Sequence, residues 1–107
     1  MPDRTALHTA VERLSGRLRS LPQRRLQAGA AAEGLELARW LARQAQILES
    51  PGAEPCELPD DGIYVVGDQV AVAGHELARA LNAAPERADP VLALALERVA
   101  RTAKAVG

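Results

Sequence analysis

From Leu7 the apolar residues recur as Leu7, Val11, Leu14, Leu18 and Leu21, a 4-3-4-3 spacing that puts all five on one helical stripe. Arg4, Glu12, Arg13, Arg17 and Arg19 mostly fall elsewhere, so the segment reads as an amphipathic helix over 3–19. Gly16 costs that helix about 1 kcal/mol relative to alanine, a tolerable loss for a buried stripe. Ser20-Leu21-Pro22-Gln23 then reads as a capping box, the Ser20 hydroxyl accepting from the Gln23 N–H, with proline in a first turn where no intrahelical donor is lost.

A second helix follows over 21–49 with the stripe Leu26, Ala30, Gly34, Leu37, Leu41, Ala45 and Leu48. Unbroken, it would be about 40 Å long. Ala30 and Gly34 leave little side chain between helix axes, which implies a close helical neighbour. Ser50 to Gly62 holds three prolines and two glycines, so residues 50–67 read as a long extended connection.

From Ile63 two patterns compete. Gly67-Asp68 as a tight turn pairs Val65 with Val70 and Ile63 with Val72, a hairpin over 63–73. Alternatively Asp68 is an N-cap, and Val70, Ala73, Gly74, Leu77 and Leu81 form a helical stripe over 68–83. Because an isolated two-stranded hairpin is marginal in water, the helix is preferred. Asp89-Pro90 opens a last helix over 90–105, with Leu92, Leu96, Val99, Ala103 and Val106 at 4-3-4-3 and Val91 and Leu94 widening the apolar face. The expected fold is all-α: a single domain, an antiparallel four-helix bundle with a long Pro-rich connection between the second and third helices. Three helices plus a hairpin at 63–73 is the alternative.

Composition narrows the class. The chain has 107 residues, with 22 alanines and 15 leucines but one tryptophan, one tyrosine and no phenylalanine, so the core is aliphatic and finely grained. No apolar run approaches the roughly 18 residues needed to span a bilayer, and no apolar export region opens the chain, so a cytoplasmic protein is expected. Twelve arginines against the single Lys104 have the look of a GC-rich, bacterial codon usage.

Charge is polarised along the chain. Residues 1–28 carry six arginines against Asp3 and Glu12, while residues 51–107 carry five bases against nine acids. Arg13, Arg17, Arg19, Arg24 and Arg25 form a candidate phosphate-binding patch, but with no aromatic residue among them and an overall net charge of −1 a solvated, internally balanced face is the plainer reading. His8 and His75 lack the Glu-x-x-His spacing of di-iron bundles and are read as solvent-facing or core-capping. Cys56, flanked by Glu54 and Glu57, sits where thiolate is disfavoured. No phosphate loop or nucleophile elbow is present, so neither enzyme activity nor a cofactor or metal is expected.

Leu35, Trp40 and Ile47 lie off the second helix's stripe, and Tyr64 adjoins the acidic connection. With so few aromatics, Trp40 is either the large filler of an alanine-rich core or an anchor for a partner. The function expected is a non-enzymatic protein-interaction module, a homodimer or an adaptor using Leu35, Trp40, Ile47 and Tyr64. The alternative is a nucleic-acid-binding regulator using the Arg13–Arg25 patch.

Overall fold

The computed structural model describes residues 4–107, and among them it is all-α with no strand. Four long helices, α1 (Arg4–Ser20), α3 (Ala31–Glu49), α4 (Val66–Ala83) and α5 (Ala88–Val106), are joined by a one-turn α2 (Gln23–Arg25), a wide turn at Leu26–Ala30 and a short 3-10 turn at Pro85–Arg87. The bundle expected from the periodicities is present. The hairpin alternative is not: Val66, Val70, Ala73 and Leu77 are buried at helical spacing, while Val72, which a hairpin would place with Ile63, is 58% exposed.

Helix boundaries shift where local chemistry found a better partner. The single helix expected over 21–49 is kinked at Gly29 (φ 142°, ψ −19°), a left-handed conformation that a residue with a Cβ resists. Ser20 does not form the expected capping box. It still belongs to α1, so its hydroxyl donates back to the Arg17 carbonyl at 3.0 Å, while the Arg25 and Leu26 amides close on the Pro22 carbonyl. Asp68 is not an N-cap either, because α4 starts two residues earlier and frees its carboxylate to bond Arg19 across to α1. Asp89 and Pro90 lie within the first turn of α5, which begins at Ala88.

The helices close a ring in the order α1–α4–α3–α5. α1 runs antiparallel to α4, with Arg4 at Leu81, Val11 at Gly74 and Ser15 at Gly67. α3 and α4 run parallel: Gly34 meets Val66, and Ala42 and Ala73 wall the same groove one to two turns further on. The long connection makes this possible by returning the chain to the start of α3. α5 then runs against α3, with Arg87 at Leu48, and ends beside the end of α1.

Leu7, Val11, Leu14, Leu18 and Leu21 are all buried, as are Leu26, Ala30, Gly34, Leu37, Leu41, Ala45 and Leu48. On α5 the buried face turns toward Ala88, Ala95 and Thr102, leaving Ala103 exposed and Leu96 half-buried. No described helix is long and apolar enough to cross a membrane.

The α1–α4 contact is made backbone to side chain. A Cβ on Gly74 would lie 2.6 Å from Val11 Cγ1, and one on Gly67 would lie 2.9 Å from the Ser15 carbonyl, which belongs to the backbone of α1. The buried Ser15 hydroxyl donates to the Gly67 carbonyl at 2.8 Å and ties the two helices there. Gly74→Ala is expected to lower stability by about 1–2 kcal/mol, because overpacking against a stiff valine outweighs the gain in helix propensity. Gly16→Ala meets nothing within 4 Å and is expected to raise stability by up to about 1 kcal/mol. Urea unfolding of both variants checks the opposite signs.

Candidate functional site

The connection between α3 and α4 is a strap of residues 50–65 held by side chains that read its backbone. The Gln46 amide clamps one residue from both sides, Nε2 donating to the Cys56 carbonyl at 3.0 Å and Oε1 accepting from the Cys56 N–H at 2.7 Å. Arg39 Nε donates to the Leu58 carbonyl at 2.9 Å and stands 3.6 Å from Glu57, and Gln69 Nε2 donates to the Pro59 carbonyl at 3.0 Å. A proline-rich segment supplies few N–H donors of its own, so its carbonyls are satisfied by donors from α3 and α4. Leu58 and Ile63 pack on the core beneath it.

Between this strap, the kink at Gly29 and the outer face of α3 lies an open groove of about 710 Å³. Its walls are apolar at Leu26, Leu35, Ile63 and Val66 and charged at Glu36, Arg39, Arg43, Glu57, Asp60 and Arg98. Trp40 stands among them, half-buried, with the Arg98 guanidinium carbon 5.0 Å from its ring centroid. The kink sets the groove's shape, since a straight helix through residue 29 would carry the Leu26–Ala30 turn along the line of α3. Size and mixed lining fit the roughly 300–1,000 Å³ range of ligand and side-chain recognition sites.

The residues singled out in the sequence do not form one patch. Leu35 is buried, 8% exposed, and serves as groove wall. Trp40 packs against the core and also lines the groove. Ile47, 40% exposed, lies two turns beyond Trp40 on the same side of α3, while Tyr64, 66% exposed, sits apart where the strap meets α4. Two exposed apolar residues escaped that set: Val72, 58% exposed, and Leu94, 52% exposed. Leu94, expected to widen the apolar face of the last helix, instead lies off the buried stripe of α5. Val72 was hidden by its fit to the hairpin pattern.

The arginine patch is largely spent inside the molecule. Arg17 Nε donates to the Gly107 carbonyl at 2.7 Å and Arg25 Nη2 to the Val106 carbonyl at 2.9 Å, both at the C-terminal end of α5. Arg19 pairs with Asp68 at 2.7 Å. Arg13 and Arg24 are exposed, Arg13 one helical turn before Arg17 on α1 and Arg24 next to Arg25 in α2.

His8 and His75 do meet. They pack edge to face at 4.9 Å between α1 and α4, and His75 Nε2 lies 3.1 Å from Glu12 Oε2. The cluster is exposed, and no three His, Cys, Asp or Glu side chains among the described residues are placed to hold a metal ion. Cys56 is exposed on the strap.

Comparison with protein-family models, curated proteins and solved structures returns no match. The chemistry of the groove therefore rests on its own residues.

Gln46→Ala removes both clamps on Cys56. The expected outcome is faster hydrogen exchange at the Cys56 amide and faster cleavage by a glutamate-specific protease at Glu57, with helical circular dichroism unchanged. Unaltered protection would mean that the strap is held by Arg39, Gln69 and the packing of Leu58 and Ile63 without Gln46.

Proposed function

We propose that the protein is a non-enzymatic protein-interaction module, a homodimer or an adaptor, whose recognition surface centres on the groove at Trp40 and extends along α3 to Ile47. One observation carries this reading: the chain's single tryptophan stands half-buried in the wall of the groove of about 710 Å³ between the strap and α3, with an apolar floor beside it and charged residues around it. That arrangement of a rigid aromatic anchor, a pocket floor and a polar rim is the usual anatomy of a binding hot spot. The groove lining contains no serine, threonine, cysteine, histidine or tyrosine; its ionisable groups are the carboxylates of Glu36, Glu57 and Asp60 and the guanidiniums of Arg39, Arg43 and Arg98. Tyr64 and the acidic strap provide a second surface on the adaptor reading. The exposed thiol of Cys56 suits a reducing, cytoplasmic setting.

Nucleic-acid binding by Arg13, Arg17, Arg19, Arg24 and Arg25 is the weaker reading. Three of these five guanidiniums already bond groups of the same chain, and releasing them for phosphate costs those bonds.

Trp40→Ala is expected to weaken association at least about tenfold, the loss typical of a central aromatic anchor, with helical content retained. Sedimentation at rising concentration checks self-association, and affinity capture of the tagged protein, compared between wild type and variant, checks a heterologous partner. Unchanged association with a large loss of helix would place Trp40 in the core alone and end this reading.

A further inference from the structure

A second, smaller groove of about 360 Å³ lies on the other side of the strap, between α3 and α4. Its floor is apolar, formed by Ala42, Leu58, Val65, Val72 and Ala73. Every charged residue that lines it is acidic: Asp61, Asp68 and Glu76. Gln69 lines it too, and Gln69 Oε1 is buried with no hydrogen-bond partner, because the same amide spends its Nε2 on the Pro59 carbonyl. The groove thus offers negative charge over an aliphatic floor, with the Gln69 amide turned inward to hold the strap.

A ligand that satisfies all of this has an apolar stem and a positively charged head rich in N–H donors. Arginine fits best, since its methylenes lie along aliphatic surface while its five donors serve several acceptors at once. The molecule already shows the preference: Asp68, on the edge of the groove, takes the Arg19 guanidinium at 2.7 Å. Asp61 and Glu76 have no ion pair among the described residues. The volume suits one or two side chains rather than a whole cofactor, and Val72 at 58% exposure provides an apolar landing beside it.

We propose that this groove binds an arginine-bearing basic segment of a protein partner, its guanidinium groups meeting the unpaired carboxylates of Asp61 and Glu76 and an apolar neighbour resting on Val72. The inference rests on the reading of the protein as an interaction module and adds to it the charge and chemistry of the partner.

The probe is a short amphipathic peptide with arginine and leucine on one helical face, titrated into isotopically labelled full-length protein and followed by amide shifts. Saturable shifts confined to Gln69, Val72, Ala73 and the Gln69 side-chain amide are expected. Asp61→Asn with Glu76→Gln should weaken binding at least about tenfold, as expected when charge-assisted hydrogen bonds are lost. Replacing the peptide's arginines by norleucine should abolish it. Both variant sites are exposed, so folding is preserved, and Val72→Asp gives an independent check on the apolar contact. Equal binding of the norleucine peptide, diffuse shifts at every surface carboxylate, or no change in the double variant would overturn the proposal. Trp40→Ala should leave this titration unaltered, so failure here with Trp40-dependent association intact defeats the inference and spares the proposed function.

Discussion

Close approach of helix backbones is the condition on which the rest of this bundle depends. A core built from alanine, leucine and valine gains little from any single side chain, so dispersion and burial accumulate only when helix axes come near one another. Gly74 and Gly67 on α4 let α1 settle onto backbone, and Gly34 on α3 admits both Val66 of α4 and Leu18 of α1. Gly34 and Gly67 lie near one junction of α1, α3 and α4, and Gly74 serves the α1–α4 contact two turns further along α4. The molecule is correspondingly thin, 16 Å between Cα atoms along its shortest axis against 42 Å along its longest.

Arginine finishes what the aliphatic core begins. The last carbonyls of a helix have no intrahelical donor and carry the negative end of its dipole. Arg4 donates to Leu81 near the end of α4, Arg87 to Leu48 near the end of α3, and Arg25 to Val106 at the end of α5. The polarity of charge along the chain thereby acquires a structural meaning: bases near its start lie against helix ends contributed by its later half. That use competes with an external role for the same guanidiniums.

Both grooves follow from the crossover. Because the strap carries the chain back beside α3, α3 and α4 run parallel, and the strap lies over their junction with one groove on either side of it. The kink at Gly29 opens the larger one, and the acidic residues of strap and α4 charge the smaller. Gln46, Arg39 and Gln69 hold the strap by its carbonyls, so the two surfaces share one mechanical support.

Sequence alone determined the four helices, because each carries an apolar stripe whose period depends only on local geometry; nearly every residue of those stripes is buried. Pro22, the run from Pro51 to Pro59 and Gly62 likewise marked where helix stops. What it did not determine were the capping roles of Ser20, Asp68 and Asp89: Ser20 bonds back within α1, Asp68 takes Arg19 on another helix, and Asp89 falls inside the first turn of α5 because that helix starts at Ala88. The Gly29 kink escaped because glycine tolerates an ordinary helical conformation as readily as a left-handed one. Leu35 and Trp40 were legible as lying off the stripe, but their fate was not: a residue off one stripe is wall, core or surface according to where the next helix lies. The meeting of His8 with His75, the clamp of Gln46 on Cys56 and the acidic groove around Gln69 depend on residues far apart in sequence. The antiparallel pairing of α1 with α4 brings the two histidines together, and the parallel crossover of α3 and α4 places the strap and its grooves; both are decided by tertiary packing.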